Sequence, residues 1–315
     1  MDAAEPLRFR VSGREDGWLL KTVLRSKLRL SRKLLSKLKR SETGILLNGS
    51  RAWVNVPVKA GDLIEVHLPV EQSTDILPQP IPFRIIFEDA HLLIVDKPAG
   101  IVVHPTHGHY INTLANGVVH YWREKGEICR FRPIHRLDQE TSGVLAIAKS
   151  QYAHQQISLQ MQAGTMEKAY LAIAHSVPPA KQGTVDAAIG RDPANPRMRI
   201  IMPNGYRAIT HYAVQEVYGC PPAASLIRLR LETGRTHQIR VHLRHLGCPL
   251  VGDKLYGAAS LPNEEQRRLP DGLIGRQALH AASLAFHHPL TGDRMRFSAN
   301  LPEDMERLIA QLRTD

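Results

Sequence analysis

Arg132-Pro133-Ile134-His135-Arg136-Leu137-Asp138-Gln139-Glu140-Thr141-Ser142-Gly143-Val144-Leu145-Ala146-Ile147-Ala148-Lys149-Ser150 is the stretch on which the reading of this chain turns. A carboxylate, Asp138, follows His135 and Arg136 and precedes a small polar turn, Thr141-Ser142-Gly143. Val144 to Ala148 is then an apolar run of strand length that must be buried. A charge at the rim of a buried strand is costly unless a cation pairs with it, and such positions are where chemistry is found. A cationic partner for Asp138 is therefore expected elsewhere in the chain.

A second dense segment runs from Thr233 to Gly247 and carries Arg235, His237, Arg240 and Arg244. Thr236 is placed to cap a helix whose apolar side is Ile239, Leu243 and Leu246, and Gly247 suits its end. His237, Arg240 and Arg244 then share one face at helical spacing. An arginine on a rigid helix suits pairing with a buried carboxylate and equally suits an exposed phosphate. Spacing leaves both open.

At 315 residues the chain suits two domains, one large and one small. Its hydrophobic fraction of 43% is ordinary for a globular protein. Apolar runs such as Leu92 to Val95 are strand-sized, well short of the roughly 18 residues of a membrane span, so no membrane partner is expected. The first residues lack an apolar signal region, and the three cysteines are few, odd in number and far apart. Both features lead to the expectation of a cytoplasmic protein with unpaired thiols. The net charge of +11 points to a polyanionic partner. Nine Lys or Arg residues and no acidic one lie between Lys21 and Arg40. Lys21, Arg25, Arg32, Lys33, Lys37, Lys39 and Arg40 are the candidate phosphate contacts, because neutralising phosphates relieves that self-repulsion.

Residues 1–16 read as a polar lead-in and 17–75 as a small basic module. In it, Leu20, Val23, Leu24 and Leu28 recur at helical spacing, and Ser31 is a cap for a second helix that buries Leu34, Leu35 and Leu38. Ile45–Leu47 and Leu63–Leu68 are strand-like, and Asn48-Gly49 favours a tight turn. Pro78, Pro80 and Pro82 mark an extended linker at 76–82. Residues 83–315 read as one α+β domain. Strands are predicted at Leu92–Asp96, Gly143–Ala148, Lys168–Ala174, Ile209–Glu216 and Leu226–Glu232, and a helix at Ser150–Gln162. Loops are predicted at Gly190–Gly205 and Ala259–Arg276.

The helix–helix–strand order of the basic module, with its Asn48-Gly49 and Gly61-Asp62 turns, resembles the S-four-type RNA-binding domain. In the larger domain, His135-Arg136-Leu137-Asp138 with Thr141-Ser142-Gly143 resembles the signature of the RluA-type pseudouridine synthases. Lys97-Pro98-Ala99-Gly100, Lys168-Ala169-Tyr170, Gly234-Arg235-Thr236-His237-Gln238-Ile239-Arg240 and Gly252-Asp253 are similar to further motifs of that family, in the same order over about residues 85–300. The resemblance implies an α+β pseudouridine synthase fold: a central mixed, mostly antiparallel sheet flanked by helices. It implies Asp138 as catalytic carboxylate, Tyr170 as active-site aromatic and Arg240 as ion-pair partner.

The implied reaction cleaves the uridine N-glycosidic bond, turns the base and rejoins it through carbon. It is redox-neutral, so no cofactor is expected. In keeping with this the chain has no P-loop, no Gly-x-Gly-x-x-Gly and no Cys-x-x-Cys. No metal is expected either: His104, His107 and His109 sit in a Pro- and Gly-bearing loop with no carboxylate or thiol ligand close in sequence, and these, like the pair His242 and His245, read as polar residues or RNA contacts before metal ligands. An aspartate acts here only when ionised, and a neighbouring arginine offsets the upward pull of burial on its pKa. Whether Tyr170 stacks on uracil or serves as a base stays open. The target uridine must be unpaired or flipped, and Arg136 is the candidate for the vacated position, with Arg235, His237 and Arg244 as further RNA contacts. The expected partner is structured RNA, met by a monomer. Family members with this layout mostly act on large-subunit ribosomal RNA, with transfer RNA the alternative. Two other classes are distinguishable: a hydrolase using Asp138 and Glu140 would release free uracil, and a non-catalytic RNA-binding or ribosome-assembly factor would be indifferent to Asp138→Ala.

Overall fold

The computed structural model describes residues 5–106, 108, 110–219, 224–257 and 274–314. The basic module comprises β1 (Leu7–Arg10), α1 (Leu20–Ser26), α2 (Arg32–Leu38), β2 (Ile45–Leu47), β3 (Ser50–Arg51) and β4 (Leu63–Val66). Leu20, Val23 and Leu24 of α1 are fully buried, and Leu28 stays buried although the helix has ended. The Ser31 hydroxyl accepts the Leu34 amide at 3.2 Å and so caps α2. Asn48 and Gly49 both have positive φ, the geometry that a two-residue hairpin turn requires. The sheet order is β1-β4-β2-β3. The lead-in is thus not merely polar: Leu7 is buried, and Leu7–Arg10 pairs antiparallel with β4. A four-residue strand interrupted by two arginines gave too short an alternation to announce itself.

The proline-rich stretch has no secondary structure, yet it is tied down. Ile76 is buried in the large core, and Asn116 Nδ2 donates to the Leu77 carbonyl at 2.7 Å. The two modules also touch directly: Gln155 donates to the Arg29 carbonyl at 2.7 Å and accepts the Ser31 amide at 3.0 Å.

The larger unit contains β5 (Arg84–Glu88), β6 (Leu92–Lys97), α3 (Leu114–Glu124), β7 (Arg132–Pro133), β8 (Ser142–Ala148), α4 (Gln151–Gln162), β9 (Glu167–His175) and β10 (Gln182–Asp186). It continues with β11 (Ile189–Arg191), β12 (Arg199–Ile201), β13 (Ile209–Tyr218), β14 (Ala224–Leu231), α5 (Gln238–His245), β15 (Leu279–His287), β16 (Arg294–Ser298) and α6 (Glu303–Thr314). The main sheet runs β10-β13-β14-β9-β15-β8-β6-β5, with β16 on β15 and β7 on β8. Only β8 and β15 run parallel; the other pairings are antiparallel. Every residue of β8 is buried because the sheet is covered on both faces. Leu145 and Ile147 join the core under α3 and α5, while Val144, Ala146 and Ala148 face α4.

Gly143 explains the small turn in the opening stretch. Its φ is 113°, and a Cβ there would meet the Ala281 carbonyl oxygen at 2.3 Å. Only glycine lets β8 pass this close to β15.

The stretch Gly190–Gly205, predicted as a loop, instead contains the β11–β12 hairpin. Its prolines, Pro193, Pro196 and Pro203, lie outside the paired residues, so they do not break the ladder. Most of the other predicted loop, Ala259–Arg276, lies outside the described residues, as do His107, His109 and Cys220. Among the described residues no helix is long and apolar enough to cross a membrane.

Candidate active site

Asp138 lies in the turn between β7 and β8, at a cavity of about 670 Å³. That turn is held by its backbone. The Thr141 amide donates to the Asp138 carbonyl at 3.1 Å, and the Gln139 carbonyl accepts from the Gly100 amide and Lys97 Nζ, each at 3.0 Å. Lys97 is fully buried and also donates to the carbonyls of Pro98 at 2.8 Å and Ile101 at 2.9 Å. Burial pushes its pKa down to about 7. Lys97-Pro98-Ala99-Gly100, which the sequence offered only as a signature, is the buttress of the Asp138 turn. Arg276 braces the other side, donating to the Glu140 carbonyl at 3.0 Å while gripping Asp304 at 2.6 and 2.9 Å.

Arg240 reaches Asp138, but not as its primary partner. Nη1 is 3.4 Å from Asp138 Oδ2, whereas Nε and Nη2 each lie 2.7 Å from the two oxygens of Asp253. The Asp253 side chain is fully buried and that of Asp138 is 27% exposed, so the tight bidentate pair is the hidden one. Asp138 is part exposed where the sequence reading had it buried, while its pairing with Arg240 is present as expected, with Asp253 as the arginine's tighter partner. Asp253 also accepts the amides of Leu255 and Tyr256, at 2.9 and 3.1 Å. Burial opposes the Arg240 charge, and the hydrogen bonds to Asp253 outweigh it, raising its pKa. Gly252 is required beside this carboxylate: φ is 72°, and a Cβ would meet the Arg276 carbonyl oxygen at 2.2 Å.

The helix carrying Arg240 begins at Gln238, not after a Thr236 cap. His237 precedes it in the left-handed conformation, φ 57°, and makes no side-chain cap. The buried Gln238 side chain organises this end instead, accepting from Thr233 Oγ1 and the Arg235 amide and donating to Ile209 O and Thr210 Oγ1. The left-handed turn aims the His237 ring at the site, with Nδ1 2.9 Å from Tyr256 Oη and Nε2 4.0 Å from Asp138 Oδ2. Because the Arg199 amide donates to Tyr256 Oη at 2.7 Å, the phenol proton is available to Nδ1. Nε2–H then faces Asp138. Burial lowers the His237 pKa against the opposing pull of Asp138, so the ring approaches the carboxylate as a neutral donor.

Residues 91–245 match the RNA pseudouridylate synthase family. The chain is 40% identical over 273 residues to ribosomal large subunit pseudouridine synthase D of Xanthomonas campestris, covering 86% of this chain and 81% of that one. It is 38% identical over 302 residues to the RNA pseudouridine synthase YhcT of Bacillus subtilis, 96% of each. The chain belongs to the RluA-type pseudouridine synthases. It is thus an isomerase that converts uridine to pseudouridine in RNA. The synthase fold is shared with human RNA pseudouridylate synthase domain containing 1, at 25% identity and a TM-score of 0.55 over 75% of this chain and 97% of that one.

In this synthase Tyr170 is buried and lines the cavity. Burial, and then the Asp138 charge, push its pKa well up, so the phenol stays neutral. Lys168 and His135 line the same space. Burial, reinforced by the Lys168 charge, pushes the His135 pKa down to about 3. Arg136 and Arg235 are exposed at the cavity, whereas Arg244 is exposed but does not line it, contrary to a shared face with His237 and Arg240. Lys21, Arg25, Arg32, Lys33, Lys37, Lys39 and Arg40 are all exposed on the basic module, and Lys37 is paired with Glu71 at 2.6 Å. Sequence reasoning missed Asp253, Tyr256 and Lys97 as working parts of the site. The signal was present, since Asp253 and Lys97 stand inside quoted motifs, but each was read as a marker and not as a partner.

Proposed function

We propose that this synthase isomerises uridines of large-subunit ribosomal RNA and that Asp138 acts on the ribose of an extruded uridine. The observation that carries the reading is the polarised environment of Asp138. Arg240 Nη1 and His237 Nε2 both approach Oδ2, at 3.4 and 4.0 Å, on a side chain that is part open to the cavity. The carboxylate is thereby set beside a cation, with Oδ1 left towards substrate. Either attack on the ribose anomeric carbon or removal of its neighbouring proton uses that carboxylate. The N1–C1′ bond breaks, its electron pair goes to uracil, the ring turns, C5 bonds to C1′ and the C5 proton is lost.

Tyr170 is assigned to packing against the uracil ring, because a phenol held neutral is a poor base. A stacked base does not reach Asp138, so the uridine leaves its stack at a cost of a few kcal/mol, offset by stacking and hydrogen bonds in the pocket. Arg136, exposed beside Asp138, is assigned to the vacated position. The basic module acts as an S-four-type domain whose exposed lysines and arginines follow phosphates. Similarity to proteins named ribosomal large subunit pseudouridine synthase D supports the choice of RNA.

The test is pseudouridine mapping in cells lacking the gene, complemented with wild type or Asp138→Ala. Sites in large-subunit ribosomal RNA should vanish and return only with the wild type. Loss confined to transfer RNA would replace the substrate, an unchanged map would end the assignment, and restoration by Asp138→Ala would remove Asp138 from the chemistry.

A further inference from the structure

Lys168 stands two residues before Tyr170 on β9, so both side chains project from the same face, and both line the cavity. Lys168 is only 5% exposed. Other buried lysines of this chain are satisfied: Lys97 by three carbonyls, and Lys149 by Glu88 at 2.7 Å and Glu127 at 2.9 Å. Among the described residues no hydrogen bond or ion pair holds the Lys168 ammonium. The neighbouring His135 ring also has no hydrogen-bond partner for either nitrogen among them. An unpaired buried cation costs several kcal/mol, so it is retained where a ligand supplies the missing charge.

The isomerisation generates such a charge. When N1–C1′ breaks, the electron pair passes to uracil and spreads from N1 over the two carbonyl oxygens. The ring carries it until C5 bonds to C1′. Asp138, Arg240 and His237 form one polar group and Arg136 and Arg235 are exposed, which leaves Lys168, among the described residues, as the buried cavity cation without a carboxylate of its own.

We propose that Lys168 is a catalytic residue whose ammonium donates a hydrogen bond to a carbonyl oxygen of the departing uracil and stabilises its negative charge. The ammonium keeps its proton throughout and no other reactant is required. Neutral His135 beside it adds no competing charge. This assignment rests on the uridine binding in the Asp138 cavity.

The experiment uses the full-length protein and the transcript of whichever RNA loses pseudouridine in the deletion strain. Single-turnover release of tritium from C5-labelled uridine is compared for wild type, Asp138→Ala and Lys168→Met. A second transcript carries 5-fluorouridine, whose ring leaves more readily as an anion, and its rearrangement is followed by nucleoside mass spectrometry. Lys168→Met is expected to slow tritium release about 100-fold, the scale of removing one preorganised donor to a developing oxyanion. RNA affinity should stay within a few-fold, the melting temperature should not fall, and the rate deficit should narrow on the fluorinated RNA. A Lys168→Met rate near wild type, an equal deficit on both RNAs, or failure of the variant to fold would each overturn the proposal. If Asp138→Ala remained active, the site itself would be misplaced; an inactive Asp138→Ala beside an unimpaired Lys168→Met would reject Lys168 alone.

Discussion

Asp253→Asn separates the anchoring of Arg240 from the chemistry proposed for Asp138. The native carboxylate accepts four hydrogen bonds, two from Arg240 at 2.7 Å and two from the Leu255 and Tyr256 amides at 2.9 and 3.1 Å. Asparagine keeps one acceptor oxygen and turns an NH2 towards a donor. Removing one partner of a buried ion pair costs about 3–5 kcal/mol, because the other charge stays buried. Against a typical total of about 5–15 kcal/mol the protein should fold, but with a clearly lower denaturation midpoint.

Arg240 is then left with Asp138, 3.4 Å from Nη1, as its remaining carboxylate, and should move towards it. A displacement of about 1 Å at such a site costs on the order of 100-fold in rate. Urea unfolding followed by near-ultraviolet circular dichroism reads the first effect, and single-turnover tritium release the second. The double variant Asp253→Leu/Arg240→Met should recover part of the stability, since a well-packed apolar pair matches or exceeds a buried ion pair but leaves the Leu255 and Tyr256 amides without this acceptor, while activity stays lost. Full activity in Asp253→Asn, or an active double variant, would refute the reasoning.

Lys97→Met removes the donor shared by the Pro98, Ile101 and Gln139 carbonyls, of which Gln139 keeps the Gly100 amide, and an unsatisfied group there costs about 1–3 kcal/mol to the extent that it is buried. It should lower both the melting temperature and turnover while RNA affinity, measured by filter binding, holds. Burial opposes the charge of Glu88, but hydrogen bonds from Lys149, Tyr121 and Lys125 outweigh it and bring its pKa down to about 2 from 4.5. The unfolded chain therefore takes up this proton first, and the stabilisation present above about pH 4.5 is lost as pH falls towards 2. Glu88→Gln should accordingly be less stable near neutrality and show a flatter loss of urea stability over that acid range; an unaltered slope would dismiss the network. Arg136→Ala, at an exposed position, should change stability by less than about 0.5 kcal/mol. Its RNA affinity or turnover should fall, and equality with wild type in both would remove Arg136 from the interface.

Periodicity carried the elements with long apolar faces. The strand at Val144–Ala148, the helix capped by Ser150 and the Ser31-capped helix stand where their patterns put them, because burial of those faces dominates locally. It failed at β1 and at β11–β12, where three or four residues take their structure from a partner strand far along the chain. The site shows the same division. Asp138, Tyr170 and Arg240 come together in one cavity, but a reading by pairs set two charges against each other where the fold sets three in a row. Asp253 lies deepest, Arg240 next and Asp138 at the cavity. An arginine without Asp253 would be drawn to fork onto both oxygens of Asp138 and cover the group proposed to meet substrate. Anchored from behind, Arg240 gives Asp138 a single nitrogen at Oδ2, and His237 approaches that same oxygen. Oδ1 is left uncovered by either, so the buried carboxylate of Asp253 keeps the more exposed Asp138 accessible.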